Sequence, residues 1–127
     1  MELFNEKRRQ RREMEHRLAL DLQGYLCGEK KGRVKWIDSR THLMEVIQYL
    51  YQEGLMKDEF GMNMKKVAIA DMVFGFFGLQ MPRNLSTYLT RIRNIKGVKS
   101  MTLVDMNVYY QDHNNGYLGL QRCVSEL

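Results

Sequence analysis

The chain has 127 residues, 44% hydrophobic and 28% charged, with 20 Lys+Arg against 15 Asp+Glu for a net charge of +5. That length suits about one domain, and no apolar run reaches the ~18 residues of a membrane span, since Asp71, Gln80 and Pro82 break the longest ones. Cys27 and Cys123 are too few for a disulfide scaffold, and basic Lys7–Arg12 is no signal peptide, so a cytoplasmic setting is expected.

Helical spacing is common and strand-like alternation scarce, which predicts a mostly α fold. A long first helix is expected over residues 2–26, with Met14, Leu18, Leu22 and Tyr25 on one stripe. Its first half is nearly all polar and should project from the body. Gly28 and Gly32 bracket a basic turn, and Arg33-Val34-Lys35-Trp36-Ile37 alternates as a short extended segment would. Trp36, the single tryptophan, is expected in the core.

Asp38-Ser39 can cap a second helix over residues 40–53, buried through Leu43, Val46, Ile47 and Leu50 and ended by Gly54. Leu55–Gly61 reads as a loop with an acidic pair, Asp58-Glu59. Asn63 is expected to cap a third helix over residues 64–77 that is apolar nearly all round, as suits a central or partner-facing helix. Met56, Met62, Met64, Met72 and Met81 gather around it, either as core filling or as an adaptable partner surface.

Pro82 suits the first turn of a fourth helix, whose buried stripe is Leu85, Tyr88, Leu89, Ile92 and Ile95. Ser100 is expected to cap a last element through Leu103, Val104, Met106, Val108 and Tyr110, with helix and wing both open. Residues 116–127 read as a C-terminal tail. The organisation is then a basic N-terminal helix and turn (1–31), a helical domain (32–115) and the tail.

Charge is unevenly placed. Residues 1–17 hold six basic and four acidic groups, and residues 18–71 hold eight of each. Residues 72–104 carry Arg83, Arg91, Arg93, Lys96 and Lys99 with no carboxylate, whereas residues 105–127 are net acidic. An acid-free stretch of this kind is either the electrostatic footprint of a polyanion partner or a solvated surface that is basic.

No catalytic constellation accompanies it. The glycines form no phosphate loop after a strand, and neither cysteine has a CxxC partner. His16, His42 and His113 are far apart and read as solvated. No enzyme activity, metal, cofactor or small-molecule substrate is expected. The fourth predicted helix instead exposes Arg83, Ser86, Thr87, Thr90, Arg91, Arg93 and Asn94, followed by Lys96 and Lys99. Such side chains donate to phosphates, and Arg and Asn also read base edges. With the third helix it makes a helix-turn-helix-sized unit, to which Lys7, Arg8, Arg9, Arg11 and Arg12 would add backbone contacts.

The run Trp36-Ile37-Asp38-Ser39, followed by Leu43, Glu45, Ile47 and Leu50, continues through Gly54, Phe77-Gly78-Leu79, Tyr88, Ile92-Arg93 and Leu103-Val104-Asp105. In order and spacing these residues resemble the C-terminal region of the RteC family, transcriptional regulators of conjugative transposons, over roughly residues 33–110. The resemblance implies a winged-helix-like DNA-binding domain acting on genes for excision or transfer of a mobile element. Family members carry a helical N-terminal domain before this region. Here residues 1–35 precede Trp36, so that domain is expected to be missing or reduced to one helix. The family's denser basic cluster and threonine after the fourth helix are replaced by Ile95-Lys96-Gly97-Val98-Lys99-Ser100.

The expected partner is therefore double-stranded DNA, with no membrane. A homodimer, or a helical interaction module antagonising a longer relative, is the second expectation.

Overall fold

A computed structural model describes residues 2–28, 33–82, 102–114 and 116–126, and these are mostly helical. The predicted fourth helix, the turn Glu29-Lys30-Lys31 and Ser100 lie outside the described residues. Helix α1 spans Glu2–Cys27 and buries Met14, Leu18 and Leu22 of the predicted stripe together with Ala19, while Tyr25 is half-buried at the core's edge. Residues 5–9 are all exposed.

Strand β1, Val34–Trp36, turns Val34 and Trp36 inward and Lys35 outward. The Trp36 ring lies 5.5 Å from the Phe77 ring, and its indole N–H donates to the Ser39 carbonyl at 2.9 Å. Helix α2 spans Arg40–Gln52 and buries Leu43, Met44, Val46, Ile47 and Leu50. Ser39 caps it as expected, its hydroxyl accepting from the His42 N–H.

Both central helices end in the same way. At the end of α2, Gly54 takes φ +61°, its N–H donates to the Tyr51 carbonyl, and the Leu55 N–H reaches Leu50. Helix α3, Lys66–Phe76, is followed by Gly78 at φ +67°, which donates to Gly75 while Leu79 donates to Phe74. This paired bonding satisfies the last carbonyls and needs a left-handed residue that glycine supplies without a Cβ clash.

Helix α3 begins later than expected. Its N-cap is Lys65, with no side-chain cap bond, and Asn63 is used elsewhere. Asn63 bridges Lys57 across the preceding loop and accepts from the Lys57 ammonium. Nor is α3 buried all round: Ile69, Ala70, Val73, Phe74 and Phe76 face the core, while Val67, Ala68, Asp71 and Gly75 are exposed.

Helix α4, Leu103–Asn114, resolves the helix-or-wing alternative in favour of helix. Burial of Leu103, Val104 and Asn107 outweighs the weak helix preference of its β-branched residues. Thr102 supplies its cap, the hydroxyl accepting from the Asp105 N–H at 3.1 Å.

Residues 116–126 are no free tail. Leu120 and Cys123 are buried, and strand β2, Val124–Glu126, pairs antiparallel with β1, Trp36 opposite Val124 and Val34 opposite Glu126. A sheet that joins residues 34–36 to 124–126 is not the hairpin of a wing. Helix α1 packs on α2 and α4, and α2 also packs on α3, so a single core joins the four described helices and the closing segment.

Candidate nucleic-acid interface

The basic run of α1 has two sides. Stepping back from Met14 and Leu18 by three and four residues brings Arg11 and Gln10 to the side that meets α4. There the Gln10 amide donates to Asp112 at 2.9 Å and to Gln111 at 3.4 Å, and the Arg11 guanidinium pairs with the Asp105 carboxylate. Arg9 and Arg12 point away from the Met14–Leu18 stripe, and Lys7, Arg8, Arg9, Arg11 and Arg12 are all exposed. Arg9 holds Glu6 at 2.6 Å on the solvent face. Arg9 and Arg11, both expected to contact a DNA backbone, therefore have carboxylate partners, Glu6 and Asp105.

The described chain approaches the other expected contacts through α3 and the Gly78 turn and reaches Pro82. Arg83, Ser86, Thr87, Thr90, Arg91, Arg93, Asn94, Lys96 and Lys99 all lie outside the described residues. The described chain before that stretch passes through the buried Phe76 and Phe77 and the Gly78 turn, and it resumes at the start of α4.

Three carboxylates, whose tethering roles sequence reasoning missed, tie the elements together. Glu45 projects from α2 to the start of α4, accepting from the Leu103 N–H at 2.8 Å, the Val104 N–H at 3.1 Å and the Tyr49 hydroxyl at 2.6 Å. Burial and the adjacent Glu45 push the Tyr49 hydroxyl far up, so it stays a donor. Nearby on α1, Glu15 is raised by burial, against the pull of Arg11, with the charges of Glu45 and Glu53 adding to the rise.

Asp38 gathers the Ser39 N–H, the His42 imidazole at 2.9 Å and the Cys123 thiol at 3.2 Å. Burial alone would raise Asp38, but these hydrogen bonds outweigh it and hold the carboxyl below its usual range. The thiol is pushed far up, by burial first and then by Asp38, which keeps it protonated and unsuited to nucleophilic attack. His42 is thus a half-buried structural partner rather than the solvated group expected. His16 pairs with Glu53 at 3.0 Å, and His113 stacks on Tyr109.

Asp21 on α1 fastens the closing segment, accepting from the Tyr117 hydroxyl at 2.9 Å and the Leu120 N–H at 3.3 Å. The Arg17 guanidinium lies 3.8 Å from the centre of the Tyr117 ring. Asn107, buried in α4, accepts from the Gly119 N–H and donates to Leu103. The signal for the long-range contacts is weak in a single sequence, because Leu103 lies 58 positions from Glu45, Cys123 85 from Asp38 and Tyr117 96 from Asp21.

Two further surface features stand out. An open groove of about 770 Å³ runs between α1 and residues 117–121, lined in part by Asp21, Tyr25, Arg33 and Tyr117. The loop before α3 raises Phe60, 80% exposed, and Met62, 66% exposed, on a turn fixed by the Asp58 carboxylate, which accepts both of their N–H groups. Met14 and Met44 are core filling, and Met56, Met64 and Met81 pack against the core's edge.

Among the described residues, no group of three or more His, Cys, Asp or Glu side chains is arranged to hold a metal ion, and no helix is long and apolar enough to cross a membrane. No protein-family model, curated protein or solved structure matches the chain.

Proposed function

We propose that the protein is a DNA-binding transcriptional regulator whose helix-turn-helix unit comprises α3 and the predicted helix beginning at Pro82. The observation that carries this reading is the placement of charge: residues 72–104 hold five cations and no carboxylate, an excess equal to that of the whole chain. Arg83, Thr87, Arg91 and Asn94 would face the major groove, with Arg93, Lys96 and Lys99 on phosphates. The exposed outer side of α1, with Arg8 and Arg12, adds a second basic surface. The gene class, excision or transfer of a mobile element, rests on the resemblance to the RteC family.

Fluorescence anisotropy with a labelled duplex from the protein's own genetic neighbourhood tests this reading. If five to seven cations neutralise phosphates, log affinity falls with log salt at a slope of roughly −4 to −6. Undetectable or salt-independent binding rejects it.

A helical protein-interaction module or dimer, antagonising a longer relative, is the second reading. It is favoured by Phe60 and Met62, two large apolar side chains raised on a rigid turn, with exposed Val67 close by in the chain. Sedimentation of the wild type against Phe60→Ser separates the two: a mass that drops only in the variant supports self-association through this loop.

A further inference from the structure

The basic arm of α1 is not equally available along its length. Arg11 and Gln10 lie on the side that meets α4, where Asp105 and Asp112 receive them. Arg12, the next residue along the helix, is exposed and points about 100° away from Arg11. The Arg11–Asp105 pair joins the arm to the first turn of α4, the element that follows the acid-free stretch. Asp105 is itself held in place, its N–H donating to Thr102 within the turn that Glu45 caps.

A cation neutralised in this way releases no counterion when a phosphate approaches, and the paired carboxylate repels that phosphate. We propose that Asp105 is an autoinhibitory residue: by holding Arg11 against α4 it withdraws one cation from the DNA-facing set and lowers affinity for duplex DNA. The inference rests on the DNA-binding reading and adds a residue that restrains it. Both side chains remain partly exposed, 49% for Arg11 and 39% for Asp105, so the restraint is a modest one that a single substitution releases.

The test is anisotropy of a labelled DNA duplex with the full chain, titrated from roughly 50 to 200 mM salt. Asp105→Asn is expected to tighten binding about two- to tenfold at the lowest salt and to steepen the slope by about one. Asp112→Asn removes the same charge from α4 without releasing an arginine and should give a smaller gain. In an Arg11→Gln background, the effect of Asp105→Asn should shrink to that of Asp112→Asn.

A second pair of variants leaves α4 untouched. Arg11→Gln should leave the slope nearly as it is, whereas Arg12→Gln should flatten it by about one. Equal gains from Asp105→Asn and Asp112→Asn, or equal losses from Arg11→Gln and Arg12→Gln, overturn the inference while leaving the DNA reading intact. If neither the wild type nor Asp105→Asn binds duplex DNA, the DNA reading itself fails.

Discussion

The Glu45 carboxylate of α2 accepts the backbone N–H of Leu103, 58 positions further along the chain, at 2.8 Å. Its other oxygen takes the Val104 N–H and the Tyr49 hydroxyl, so one side chain satisfies two of the free donors that open α4. An anion at this end of a helix is also favoured by the helix dipole. Glu45, Leu103, Val104 and Asp105 all belong to the pattern on which the family resemblance rests. In the fold they form one joint between α2, α4 and, through Arg11, α1.

Glu45→Ala should destabilise the fold by about 1–3 kcal/mol, because it leaves two helix-start N–H groups and the Tyr49 hydroxyl without their acceptor. Urea denaturation followed by Trp36 fluorescence measures this. A loss below about 0.5 kcal/mol would show that water replaces the carboxylate fully.

Gly119→Ala should cost at least about 1–3 kcal/mol. Gly119 has φ +63°, and a Cβ there would run into the Asp21 carboxylate and the Tyr117 ring. The change also displaces the two groups that fasten residues 116–126 to α1. Thermal melts should show the drop, with proteolysis in the closing segment accompanying it.

Two carboxylates give opposite pH dependences. Asp38 is held below its usual range in the fold, so its contribution is fully present above the unfolded value near 4 and fades as pH falls below it. Glu15 is raised, so its ionised form strains the fold at neutral pH, and that strain is relieved as pH falls through its raised value. Glu15→Gln should therefore raise the Tm at pH 7, with the gain vanishing below about pH 4. Asp38→Asn should lower the Tm at pH 7 and do so less in acid. Melts of both variants across this range check the signs.

The two thiols should differ in reactivity. Cys27 is exposed at the end of α1, whereas Cys123 is buried and donates to Asp38. A thiol reagent should modify one cysteine per chain in the native protein and the second only on unfolding. Rapid labelling of both in native buffer would contradict the buried Asp38–Cys123 contact.

The elements most legible in the sequence are those whose determinants are local. Ser39, the stripe Leu43, Val46, Ile47 and Leu50, and Gly54 lie within a few residues of one another and correctly placed α2, start and end alike. The stripe Met14, Leu18 and Leu22 likewise placed the buried side of α1. Asn63 misled because its side chain had a nearer use across the loop, pairing with Lys57.

The sequence by itself determined the helical character of the chain, the ends of its central helices and the placement of its charge, because helical periodicity, glycine turns and residue counts need no knowledge of distant contacts. The tertiary structure alone decided that residues 116–126 belong to the body, that Glu45, Asp38 and Asp21 serve as tethers, and that Arg11 pairs with Asp105 of α4. A polar side chain's role depends on which donor meets it, and those donors lie up to 99 positions away in the chain. Periodicity carries no information over that distance; packing of the apolar faces brings the partners together, and the hydrogen bonds follow.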